Sequence, residues 1–208
     1  MPTILITENN FAMKDFVYLA SQSPRRRQLL EQIGVRYEML LATPDEDAES
    51  LEDVLPGEAP LTYVKRVTQL KLEAAVKRMK ARNLKPAPVL CADTTVALGR
   101  VILGKPENAQ EAVRILKTLA GQSHRVFTAV AVASGRRRLL GVSVSKVTFA
   151  PMKVSEIKAY VATGEPFGKA GAYGIQGMAA AYISDIQGSY TGIMGLPLFE
   201  TSELLKNI

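Results

Sequence analysis

Ser23-Pro24-Arg25-Arg26-Arg27 places three guanidinium groups where the pattern predicts a helix to begin. The Val17-Tyr18-Leu19-Ala20 run ahead of it reads as a short strand. Ser23 suits an N-cap, Pro24 the first helical position, and Gly34 the residue that ends the helix. A helix start carries partial positive charge and favours Asp or Glu, so arginines there are unfavourable unless an anion completes them. Free N–H groups, a dipole end and guanidinium forks together suit a phosphate, which makes Ser23, Arg25 and Arg26 candidate phosphate ligands. The plainer reading is solvated arginines on a turn; the capping pattern and the preceding strand favour the anion site.

Proton transfer or metal binding must rest on carboxylates, because the chain has a single histidine, His124, and a single cysteine, Cys91. Asp93 follows the apolar run Pro88-Val89-Leu90-Cys91-Ala92, and the end of a buried strand is where α/β sheets bind ligands. Such an Asp can also be a turn residue, but its place between apolar strands, with Lys105 on the returning one, favours chemistry. Lys71 lies four residues after Val67 and seven after Val64, on the inward stripe of a long helix. An inward lysine needs an anionic partner, unless it snorkels to the rim. The acidic stretch from Thr43 to Asp53 is in the main a solvated loop, yet in a basic chain it is also a source of metal ligands.

The elements that must position these groups alternate between strand and helix. Val35 to Leu41 reads as a second strand, and Leu61 to Leu84 as a long helix with Lys77, Arg78, Lys80 and Arg82 in solvent at its end. Val101-Ile102-Leu103 returns after the Gly99-Arg100 turn, and Asn108 to Glu111 opens a helix with a capping box. Arg125 to Ser134 and Leu139 to Thr148 read as long strands joined by a turn of exposed arginines, Arg136 to Arg138. Pro151 to Thr163 reads as a helix with Val154, Ile157, Tyr160 and Val161 inward, and Leu196 to Ile208 as a closing helix. Two glycine-rich stretches, Gly164 to Gly177 and Gly188 to Pro197, suggest backbone that approaches a ligand closely.

Composition bounds the classes. At 208 residues with 47% hydrophobic content, the chain suits one globular domain, and no apolar run approaches the ~20 residues that span a bilayer. Residues 1–15 lack the pattern of a signal peptide and read as an extension, and with a single cysteine in the chain a cytoplasmic location is the default expectation. One cysteine and one histidine exclude an internal disulfide framework and a Cys/His zinc cluster, and His124 reads as a structural residue opening a strand. The net charge of +6 favours anionic partners. A nucleic-acid-binding module is the rival reading, but aromatics are only 6% of the chain and Trp is absent, so a stacking platform is poorly supplied.

Five blocks in order carry a resemblance: Leu19-Ala20-Ser21-Gln22-Ser23-Pro24-Arg25-Arg26, Ala92-Asp93-Thr94, Gly104-Lys105-Pro106, Lys169 to Gly177 (KAGAYGIQG) and Gly195-Leu196-Pro197-Leu198. Together they resemble the Maf family of nucleoside triphosphate pyrophosphatases, from about residue 16 to the C-terminus. The resemblance implies an α/β fold of the Maf/ITPase-like kind: a long curved mixed sheet flanked by helices, with two lobes and a central cleft. It implies a single domain over residues 16–208 and hydrolysis of a nucleoside triphosphate to monophosphate and pyrophosphate, assisted by a divalent cation (Mg²⁺, Mn²⁺ or Co²⁺). The catalytic Asp falls on Asp93, which with Glu46 is also the implied metal site; the phosphate-binding residues fall on Arg25, Arg26, Lys71 and Lys105. The unbroken KAGAYGIQG block is similar to the branch acting on dTTP and UTP, in which the residues tied to base choice correspond to Arg25, Thr94 and Gln176. Gln176 offers both a donor and an acceptor, matching the O4 and N3–H edge of uracil or thymine. A homodimer is a further expectation from the resemblance, as is the absence of stable nucleic-acid or membrane binding. A non-catalytic regulator of division is the second rival.

Overall fold

A computed structural model describes residues 16–43, 45–46 and 50–208; the expected N-terminal extension, residues 1–15, lies outside them. Strand β1 (Val17–Leu19) leads into helix α1 (Pro24–Gln32) and strand β2 (Tyr37–Met39). Helix α1 ends as its sequence requires. Gly34 takes a left-handed φ of 69°, its N–H donates to the Glu31 carbonyl, and the Val35 N–H reaches back to Leu30. Ser23 stands at the N-cap, but its side chain makes no capping hydrogen bond.

After a 3-10 turn at Ser50–Glu52 comes helix α2 (Pro60–Ala81), then strands β3 (Val89–Leu98) and β4 (Val101–Leu103). Helix α3 (Ala109–Leu119) is capped by Asn108, whose Oδ1 accepts from the Glu111 N–H at 2.9 Å. The long hairpin β5 (Ser123–Ser134) and β6 (Arg137–Phe149) turns at Gly135-Arg136, so Arg137 and Arg138 belong to the strand. Helix α4 (Val154–Ala162), two 3-10 turns (Ala170–Ala172 and Met178–Tyr182), strand β7 (Ile183–Gln187) and helices α5 (Tyr190–Met194) and α6 (Leu198–Lys206) complete the chain.

The seven strands form one mixed sheet in the order β2-β1-β3-β5-β6-β7, with β4 also on β3. β1 runs parallel to β2 and β3, and the other pairs are antiparallel. Strand β3 is the hub. One edge pairs with β5 from Val89 to Ala97. The opposite edge is divided: β1 covers Val89 and Leu90, and β4 covers Val96 to Leu98. Residues 91–95 lie in the gap between them. Asp93 therefore sits inside a continuous strand, not at a strand end as its sequence suggests, and the interruption it marks belongs to the neighbours.

Alternation along β3 sends its side chains to two cores. Val89, Cys91 and Ala97 face α2, against Leu72, Ala75, Val64 and Val67. Leu90, Ala92 and Val96 face the opposite side with Leu29, Leu30, Ile115 and Leu116. Two inward positions differ from the periodic reading. Arg78, expected in solvent, is only 9% exposed, because its guanidinium reaches the Leu40 carbonyl at 3.0 Å and the Glu46 carboxylate. Val154, expected inward, is exposed at the first turn of α4, whereas Ile157, Tyr160 and Val161 are buried.

Candidate active site

The gap beside β3 opens into a cleft of about 1180 Å³. Ser23, Arg25, Arg26, Glu46, Lys71, Asp93, Thr94, Lys105 and Gln176 all line it. Strand alternation puts Asp93 toward α2 and Thr94 toward α1, so the two neighbours serve opposite walls.

On the α2 wall, Lys71 extends from the edge of the apolar stripe and donates to Asp93 Oδ1 at 2.6 Å. The same ammonium donates to Glu52 Oε1 at 2.7 Å, and Glu52 Oε2 accepts from Lys105 Nζ at 2.8 Å. Asp93, Lys71, Glu52 and Lys105 thus form one chain of alternating charge. Burial alone would raise the Glu52 carboxyl, but the two lysines outweigh it and hold it at about 2. The sequence leaves Lys71 either an inward partner or the rim; the fold gives it two carboxylates.

On the opposite wall, Arg26 donates through Nε to the Gly195 carbonyl at 2.7 Å and through Nη1 to Ser21 Oγ at 3.0 Å. Arg25 Nε donates to the Met194 carbonyl at 3.1 Å. Both guanidinium groups are therefore aimed by the C-terminal end of α5 and the glycine that follows it, and burial pushes both below their ordinary value, with Asp93 opposing the shift at Arg26. Gly195 makes this possible with a φ of 122°, where a side chain would be strained. Thr128 Oγ1 donates to the Gly192 carbonyl of α5 at 2.7 Å and accepts from the Thr94 hydroxyl at 3.1 Å, which ties Thr94 to the same wall.

Glu46 lines the cleft but is bound to Arg78, Arg82 and the Thr43 N–H, which hold it at about 2. Glu52 takes the position beside Asp93 and Lys71. Its stretch stood out in the sequence as acidic, but no periodicity in an irregular loop distinguishes one carboxylate from the next. Lys169 also lines the cleft, and the signal that could have found it is its place at the head of the KAGAYGIQG block. His124 is 2% exposed and bonds through Nε2 to Tyr173 at 2.7 Å, a structural role as expected.

The Maf-like protein family matches residues 16–208. A dTTP/UTP pyrophosphatase of Polaromonas sp. is 66% identical over 92% of this chain and 95% of its own length. Proteins of the same name from Albidiferax ferrireducens and Cupriavidus pinatubonensis are 61% and 59% identical, over 94% and 93% of this chain and 98% and 97% of theirs. The solved Staphylococcus aureus Ham1 protein aligns at 14% identity and a TM-score of 0.44, over 66% of this chain and 73% of that one, too loosely to add to the assignment. On the match across nearly the whole described chain, this protein belongs to the Maf family.

Proposed function

We propose that this chain hydrolyses nucleoside triphosphates, dTTP and UTP foremost, to the monophosphate and pyrophosphate. The observation that carries the reading is the convergence of Arg25, Arg26, Lys71 and Lys105 on one cleft with Asp93. A triphosphate carries about four negative charges, which must be neutralised before water can approach phosphorus. The relatives named dTTP/UTP pyrophosphatase support the same reaction and base class.

In this reading Arg25, Arg26 and the N–H groups opening α1 hold phosphate oxygens from one wall, and Lys71 and Lys105 hold them from the other. Drawn toward phosphate, Lys71 leaves Asp93 free to accept a proton from water as its oxygen attacks the α-phosphorus. The bond from that phosphorus to the bridging oxygen breaks, and pyrophosphate leaves. Gln176, exposed on the cleft rim, reads the pyrimidine edge, and Thr94 limits the room beside it.

The donor set fits a hard divalent cation. Among the described residues no group of three or more His, Cys, Asp or Glu is gathered, and Mg²⁺ commonly takes one or two carboxylates and completes its shell with phosphate oxygens. Asp93 would hold it with Glu52, whose carboxylate meets the same Lys71 ammonium, whereas Glu46 pairs with Arg78 and Arg82. Such an ion, when bound, supplies Lewis-acid polarisation of the phosphoryl oxygens. Among the described residues no helix is long and apolar enough to cross a membrane, and a cytoplasmic location belongs to the same reading.

Product analysis with a panel of nucleoside triphosphates, with and without Mg²⁺ or Mn²⁺, tests the reaction. Monophosphate and pyrophosphate from dTTP and UTP are expected; diphosphate and orthophosphate would move the attack to the γ-phosphorus. Asp93→Asn should lose about 10²–10⁴-fold in kcat. Retained turnover in Asp93→Asn removes the general-base role, and retained turnover in Asp93→Ala removes the ligand role as well.

A further inference from the structure

Gln176 stands at the third position of a tight turn, closed by the Gly177 N–H donating to the Gly174 carbonyl at 3.1 Å. Ile175 beside it is buried at 4% exposure, which pins one side of the turn and leaves Gln176 outward. A turn of this length on a cleft rim needs its ends fixed if a side-chain amide is to discriminate between bases.

Glu165 meets that need at both ends. Its Oε2 accepts from the Met178 N–H at 2.9 Å, directly after the turn. Its Oε1 accepts from the Tyr160 hydroxyl at 2.8 Å, and the Tyr160 oxygen in turn accepts from the Gly174 N–H at the other end. Between the two bonds the carboxylate lies against the Gly177 Cα, where any Cβ would overlap it, so only glycine admits this approach. Lys169 closes the opposite side: its stem packs on Gly174, and its ammonium donates to the Glu165 carbonyl.

We propose that Glu165 is a positioning residue for base selection, clamping both ends of the Gly174–Met178 segment so that the Gln176 amide is held at one depth and one angle in the cleft. The proposal rests on Gln176 reading the base. Glu165 acts through that turn and touches neither phosphate nor the attacking water. Tyr160 is the intermediate on one end only, so its removal should release half of the clamp.

The test compares wild type, Glu165→Ala, Tyr160→Phe and Gln176→Ala with UTP, dTTP, CTP and dCTP, beside backbone amide exchange in the absence of nucleotide. Glu165→Ala should lower kcat/KM for UTP and dTTP by about ten- to a hundredfold, mainly through KM, and so narrow the preference over CTP and dCTP. Tyr160→Phe should move the same way by less, and it carries the test if Glu165→Ala fails to fold. Exchange should quicken at the Gly174 and Met178 amides in Glu165→Ala and stay unchanged in β3. An equal loss with all four nucleotides, or unaltered protection at Met178, overturns the clamp. If Gln176→Ala keeps the wild-type preference, the reading of Gln176 falls and takes the proposal with it. If Gln176→Ala loses the preference and Glu165→Ala keeps it, only the clamp falls.

Discussion

Arg26 makes three uses of one planar fork, gripping the Gly195 carbonyl, Ser21 Oγ and, at 3.5 Å, Thr94 Oγ1. A lysine keeps the charge but cannot reproduce that geometry. Arg26→Lys should therefore cost about 10²-fold in kcat/KM, and wild-type steady-state kinetics would count against the loop as the device that aims the guanidinium. The carboxylates give a second outcome at this scale. Glu46 and Glu52 are both held at about 2, below the ordinary value of 4.5. A depressed carboxyl stabilises the fold above its unfolded value, and the contribution is lost as pH falls through its folded one. Melting temperature should therefore drop between about pH 4.5 and 2, by less in Glu52→Gln.

At the scale of elements, the glycine-rich segment is locked to the sheet through Gly171. Its φ is 71°, its N–H donates to the Gly104 carbonyl at 3.0 Å, and a Cβ there would come 2.8 Å from Val96 Cγ1. Gly171→Ala should destabilise by roughly 2–4 kcal/mol in denaturant unfolding, from left-handed strain and overpacking together. His124 fastens β5 to the same segment through Tyr173, and burial pushes its imidazole down to about 4. The unfolded chain takes up this proton near 6.5 and the folded one does not, so stability falls as pH drops from 6.5 to 4, by up to about 3 kcal/mol. His124→Gln should flatten that limb of the curve in calorimetry. Helix α1 with its Gly34 stop, helix α2, the β5–β6 hairpin and the structural role of His124 were legible in the sequence, because turns and periodicity are local. The unbroken run of β3 through Asp93 was not, since the break in its pairing lies in β1 and β4. Nor was the contact of Glu52 with Lys71 and Lys105, which depends on where a loop without periodicity meets them. The burial of Arg78 was not legible either, because its acceptors, Leu40 and Glu46, lie more than thirty residues away.

Across the whole molecule, the two cores on either face of β3 are built from aliphatic and aromatic side chains, and the charged groups gather at the gap between β1 and β4. Most of the stability therefore comes from packing away from the cleft, with the cleft ion pairs adding a pH-dependent part. Chelation with EDTA should abolish turnover while shifting the melting temperature of the nucleotide-free protein by less than about 2 °C; a larger fall would make the ion part of the fold.

The Glu52 bridge between Lys71 and Lys105 bears on how a catalytic cycle ends. An empty polyphosphate site lined only by cations would hold its product as firmly as its substrate. In the proposed reading, in which Lys71 and Lys105 hold the leaving pyrophosphate, Glu52 is the protein's own anion and replaces the departing one, so that release becomes an exchange rather than the uncovering of bare charge. Glu52→Gln removes that competitor, and inhibition by pyrophosphate should tighten about tenfold in such a variant. On this view the acidic loop sets the tempo of turnover by contesting the place that the leaving group occupies.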